Sequence, residues 1–174
     1  MALIIEDGSG IPGANAYIGT SFVDEYFLGE RLTTWRALEQ EGQESFIISA
    51  AGYVDIAFDW QGIRKTPEQG LSWPRTGILF DGFPVDGVPV QVKKAAAETV
   101  WLLIEGEELF STDSDTEIAS EQVDVIKISY REPGENGQKA ASRFDVLNKL
   151  LRGFYKTDAP ARSGGFSSSR VLRV

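Results

Sequence analysis

The sequence predicts a mainly α protein: a small helical bundle with a minor β element, a long ordered Gly/Pro loop and an extended basic C-terminal tail. Three observations carry that expectation. Apolar residues recur at helical spacing in four separate stretches. Residues 61–87 hold Gly62, Pro67, Gly70, Pro74, Gly77, Gly82, Pro84 and Gly87, a spacing that no long helix tolerates. Beyond Tyr155 the composition turns to Ser, Gly, Ala and Arg, with no core-forming period until Val171, Leu172 and Val174. The expected division is a body over residues 1–155 and a tail over 156–174.

Ala2 to Ile5 reads as a short strand, ended by the turn-forming cluster Gly8, Gly10, Pro12 and Gly13. Ser21 with Asp24 three residues on resembles a capping box, and Phe22, Val23, Tyr26 and Phe27 then place a helix over about residues 21–30. From Glu44, Ile47, Ala51, Val54 and Phe58 form the clearest amphipathic stripe, ending near Trp60, where Gly62 and Pro67 stop it. Pro89 suits a first helical turn, and Val90 to Leu109 carries two adjoining stripes (Val92, Ala96, Val100, Leu103 and Ala97, Trp101, Ile104), the mark of the most buried helix. Lys93, Lys94, Glu98 and Glu105 fall on its expected exposed side. Val123 to Tyr130 alternates roughly, with a phase slip that suggests a bulge, and Pro133, Gly134, Asn136 and Gly137 make a turn. A last helix is expected over Ala140 to Tyr155 through Phe144, Leu147, Leu150, Leu151 and Phe154.

Composition narrows the chemistry. The apolar share is 42% and the charged share 25%, so 174 residues suffice for one folded core. Cysteine and histidine are both absent, which removes disulfides, thiolate nucleophiles, imidazole bases and nearly every zinc, copper or haem site. No cofactor and no catalytic residue is expected. A carboxylate-dependent enzyme needs convergent acids, and Asp55 and Asp59, one helical turn apart, are the nearest approach to that. Asp113, Asp115 and Glu117 invite a calcium loop, but counting from Asp113 the sixth and twelfth positions are Ile118 and Asp124 instead of Gly and Glu. The start of the chain lacks the basic leader of a signal peptide, and the longest apolar run, Val100 to Ile104, falls far short of a membrane span. Synthesis in the cytoplasm follows as the expectation.

Net charge is −9, unevenly placed. Residues 139–174 hold eight basic and two acidic side chains, net +6, whereas residues 1–138 hold nine basic and twenty-four acidic, net −15. A basic tail behind an acidic body suits an acidic partner surface, protein or nucleic acid, or else a plain solvated face. Within the Gly/Pro loop, Leu71, Trp73, Ile78, Leu79, Phe80 and Phe83 are too apolar for a solvated linker. Trp60, Trp73, Pro74, Arg75 and Phe83 are therefore candidates either for covering one end of the helical core or for an interface between copies. Nucleic-acid binding through Arg64, Lys65, Trp73 and Arg75 is opposed by the acidic body and by the want of a stacking platform.

Several motifs together resemble a known family. These are Leu3-Ile4-Ile5-Glu6-Asp7-Gly8, Ala14-Asn15-Ala16-Tyr17, Trp60-Gln61-Gly62, Leu71-Ser72-Trp73-Pro74-Arg75-Thr76-Gly77 and Asp81-Gly82-Phe83-Pro84 leading into Val88-Pro89. Their order is similar to that of small phage neck proteins, the head-to-tail connectors or adaptors, many of which carry the label of DnaT-like single-stranded DNA-binding proteins. The resemblance implies a structural virion protein that forms a twelve-fold ring with itself on the portal protein. It implies further that the ring receives a tail terminator, stopper or tail-completion protein, with DNA only as passing cargo and no membrane. It locates the protein in the neck of the virion and gives Arg162, Phe166, Arg170, Val171, Leu172 and Arg173 a portal-docking role. The label implies a rival of another class, a replication-type single-strand binder.

Overall fold

A computed structural model of the chain describes residues 2–107, 109 and 137–156, the last segment with side chains from residue 144 onward. The elements are α1 (Thr20–Tyr26), α2 (Glu30–Arg36), α3 (Gln40–Ala57), β1 (Ile63–Arg64), β2 (Arg75–Thr76), β3 (Leu79–Phe80), β4 (Phe83–Pro84), α4 (Val90–Ile104) and α5 (Gly137–Leu151). Strand β1 pairs antiparallel with β2, and β3 with β4, so the described residues are mainly α with a minor β element.

Helix α4 is the hub because its apolar face is both wide and fine-grained. Val92, Ala95, Ala96, Ala97, Thr99 and Val100 are all fully buried, and the alanines let neighbouring backbones come close. Helix α3 packs on one side of it through the buried Ile47, Ala50, Ala51 and Val54. Helix α5 packs on the other side, with Leu147 and Leu151 buried and Phe154 following just past its end. The one polar side chain among these α4 positions, Thr99, donates its hydroxyl to the carbonyl of Ala95 at 2.9 Å, so no polar atom is stranded there.

The helices differ from the sequence expectation at their ends. The first does not run to residue 30: it stops at Tyr26, and Gly29, at φ 58°, turns the chain into the unforeseen α2. Its N-cap is Gly19, without a side-chain cap, so Ser21 and Asp24 form no capping box. Tertiary contacts hold the short α2. Arg31 grips Glu98 with both terminal nitrogens (2.7 and 3.2 Å), Tyr26 donates to the same carboxylate at 2.8 Å, and the guanidinium lies 4.8 Å from the Phe27 ring centroid. This pairing is why Glu98 is only half exposed. Helix α3 begins at Gln40, four residues before the expected start, and Phe58 lies beyond its last turn in extended backbone. Pro89 is the N-cap of α4 and not a residue of its first turn: its ψ is 145° and its carbonyl accepts from Val92 and Lys93. Helix α4 ends at Ile104, short of Leu109. The expected strand over residues 123–130, the acidic stretch 111–121 and the tail beyond Lys156 lie outside the described residues.

The expected strand over Ala2 to Ile5 reduces to one bridge between Ile5 and Ala16, because Glu6 draws the chain into a loop. Glu6 is 1% exposed, and its carboxylate accepts the backbone N–H groups of Gly8 (2.8 Å), Gly10 (2.8 Å) and Ile11 (2.7 Å). That loop is then sewn to the Gly/Pro segment: Lys65 Nζ donates to the Gly8 carbonyl at 2.9 Å, and Gly70 N–H donates to the Ile11 carbonyl at 3.1 Å. Replacing Glu6 by Ala strands three inward-facing amides, and the expected loss is about 3 kcal/mol or more of unfolding free energy, read from urea titrations. A loss under about 1 kcal/mol would mean that the amides find water instead.

Candidate functional site

The Gly/Pro segment is fixed from below by Asp55, on the last turns of α3. Its carboxylate accepts the Tyr17 hydroxyl and the Ser72 backbone N–H (2.8 Å), and the Tyr17 oxygen in turn accepts the Trp73 N–H at 3.2 Å. The Asp55 carbonyl accepts the Trp60 indole N–H at 3.3 Å. Burial pushes the Asp55 carboxyl above its ordinary value, against the opposing pull of its hydrogen bonds from Tyr17 and Ser72. Burial, and then the facing Asp55, push the Tyr17 phenol well above its ordinary range. Three sequence-distant segments thus meet at two side chains.

Arg75 fixes the same segment from above. Its Nε donates to the Gln61 carbonyl at 2.6 Å, Nη2 to Gly62 at 2.8 Å and Nη1 to Ser72 at 3.2 Å. The planar fork reaches three carbonyls at once, which a lysine amine cannot copy. Gly62 is needed where it stands: φ is 67°, and a Cβ there would strike the Thr76 carbonyl oxygen across the β1–β2 pair. Gln69, also buried, donates to the carbonyls of Leu71 (2.7 Å) and Pro74 (3.1 Å) and accepts the Thr66 N–H at 3.0 Å. The spacing of Trp-Gln-Gly and Trp-Pro-Arg-x-Gly is therefore the spacing of one hydrogen-bonded knot, across a cis peptide bond between Trp73 and Pro74.

From this knot aromatic rings run outward to the surface. Trp73, 0% exposed, meets Trp60 edge-on at 5.6 Å between centroids and Phe154 at 5.7 Å. Phe154 in turn stacks on Phe80 at 4.6 Å with planes 10° apart. Phe80 is the register partner of Phe83 in the β3–β4 pair, and cross-strand partners share a face. Phe83 is nonetheless 74% exposed. Together with Pro84, Val85 and Pro89 these rings line an open groove of about 340 Å³, with Asp81 and Asp86 also on its lining. Leu79 and Ile63 are exposed as well. Lys65 Nζ lies 3.9 Å from Asp86, and Arg64 is exposed on β1.

Of the loop residues singled out from sequence, Trp60, Trp73 and Pro74 are buried, Arg75 is spent on backbone carbonyls, and Phe83 faces solvent. Asp55 and Asp59 do not converge: Asp59 is exposed and pairs with Lys156 at 3.2 Å. Arg162, Phe166, Arg170, Val171, Leu172 and Arg173 lie outside the described residues. Tyr17 and Gln69 enter the knot without any periodic signal to announce them, whereas Phe154 belongs to the expected last helical stripe and lies buried just past the end of α5. Among the described residues no group of three or more acidic side chains could hold a metal ion, and no helix is long and apolar enough to cross a membrane.

A family model described as "Putative DnaT-like ssDNA binding protein" matches residues 1–174. The chain belongs to that family. No curated protein and no solved structure matches it. The family's description overturns the connector reading: the phage head-to-tail connector role, portal binding and the dodecameric ring give way to the rival reading, single-stranded DNA binding. Of the resemblance, membership in the DnaT-like family stands and the connector role does not.

The Asp55 site has a signed pH dependence. A carboxyl raised in the folded state contributes stability below the ordinary aspartate value of 3.8 and loses it as pH rises through the folded value. Relative to Asp55→Asn, the native chain is therefore expected to lose stability across the mildly acidic range and to run parallel above it, in urea unfolding at stepped pH. The opposite slope would show that the hydrogen bonds from Tyr17 and Ser72 outweigh burial.

Proposed function

We propose that this chain acts by binding single-stranded DNA and not by catalysis. The observation that carries the reading is the family match across residues 1–174. The aromatic surface of the β3–β4 pair supports it. Phe83 offers an exposed ring beside the stacked Phe80 and Phe154, the kind of π-face on which an unpaired base stacks whatever its identity. The sequence alone announces no such platform. The platform arises because the Phe80–Phe83 register turns two aromatic side chains to one side of a tight turn through Asp81 and Gly82, both at positive φ.

Phosphate neutralisation falls to a different part of the chain. Residues 1–138 carry a net −15, whereas 139–174 carry +6, so basic side chains such as Lys149, Arg152 and Arg162 are assigned to the backbone of the strand. Asp55 and Asp59 point to different surroundings, which supports a reading without a carboxylate reaction.

Fluorescence anisotropy with labelled single-stranded and duplex oligonucleotides tests this. Preference for the single strand is expected, with log affinity falling against log salt at a slope of about −2 to −4, the value for three to six neutralised phosphates. Phe83→Ala should weaken binding about 5- to 150-fold, one stacked base lost, without changing the melting temperature. No binding at low salt, or equal affinity for duplex, would overturn the reading.

A further inference from the structure

We propose that residues 166–174 of the same chain dock in the groove formed by β3, β4 and Phe154. The groove presents apolar surface that the described residues leave uncovered: Phe83 is 74% exposed and shares the lining with Phe80, Pro84, Val85 and Phe154. Apolar area left in water costs roughly 25 cal/mol per Å², which an apolar occupant recovers. The groove is also acidic, through Asp81 and Asp86. Lys65 stands 3.9 Å from Asp86, and Asp81 has no ion pair among the described residues.

The segment matches on both counts. Phe166, Val171, Leu172 and Val174 supply apolar side chains, and Arg170 and Arg173 alternate with them to meet the two carboxylates. Arg side chains suit such a site because their forks pair with carboxylates in two-point geometry.

Delivery is the second argument. The Phe154 ring walls the groove, and the chain leaves the described region only two residues later. It is pinned there by hydrogen bonds from Gln61 N–H to the Phe154 carbonyl (2.9 Å) and from Lys156 N–H to the Asp59 carbonyl (2.7 Å). Nine residues, 157 to 165, lie between, and a flexible chain of that length spans about 16 Å on average. Such tethering raises the local concentration of the segment to the order of millimolar, enough to fill a groove that would bind a separate peptide weakly. The residues assigned from sequence to a partner interface thereby find their surface on their own chain.

Because the chain contains no cysteine, Ser169→Cys accepts a single nitroxide label on the otherwise intact protein. The expected NMR result is loss of amide signal at Gly82, Phe83 and Val85 in the labelled chain. Recovery is expected when Phe83→Ser, or Arg170→Ser with Arg173→Ser, is added. Phe83 is exposed, so its replacement leaves the fold standing, and the arginine pair provides a second variant remote from the groove in sequence. Undiminished signals at those amides would overturn the proposal. Signal loss found only when labelled chains are mixed with separate isotope-labelled chains would overturn it too, assigning the groove to a second copy. With no nucleic acid in the sample, the result stands apart from the single-strand reading.

Discussion

The Gly/Pro segment depends on one half-buried carboxylate. Asp55 takes the Tyr17 hydroxyl and the Ser72 amide together, and Tyr17 passes the connection on to the Trp73 amide. A long segment interrupted by Gly and Pro has little local structure of its own, since each Gly adds backbone freedom that folding must remove. Polar bonds at a few fixed points replace the regular ladder that the segment lacks. Asp55 and Tyr17 secure it to α3 and the N-terminal loop, Arg75 secures it to residues 61 and 62, and Gln69 closes its inner turn. The cost is visible at Trp73, whose indole N–H is buried without an acceptor among the described residues.

This arrangement separates rigidity from recognition. The inner rings, Trp60, Trp73 and Phe154, form part of the core and set where the chain goes next. The outer rings, Phe80 and Phe83, are carried on a two-residue strand pair whose position is dictated by that inner stack. A surface built this way is held in place before any ligand arrives, which reduces the ordering cost of binding. Under the proposed function, stacking falls to this acidic body and phosphate contact to the basic segment.

How far the sequence discloses this differs from element to element. The buried stripes of α3 and α4 were legible because burial repeats every turn: Ile47, Ala51, Val54, Val92, Ala96 and Val100 all lie inside. Helix α2 was not, because seven residues hold too little period, and its anchor, Arg31 on Glu98, spans sixty-seven positions. The order of the Gly/Pro loop could be read from its apolar content, but its mechanism could not. Arg75 looked like a nucleic-acid contact or an interface residue, and only the fold shows that its donors are already taken. Phe83 and Trp73 share one short segment and one residue class, yet one is exposed and the other wholly buried. That difference is set by tertiary packing and not by composition.

The Asp55–Tyr17 link makes the loop part of the cooperative core. Native-state hydrogen exchange at the Ser72 and Trp73 amides tests it most directly. Exchange as slow as that of Val100 in α4, governed by global unfolding, is the expected result. Exchange faster by orders of magnitude, through a local opening that leaves α3 and α4 protected, would contradict the account.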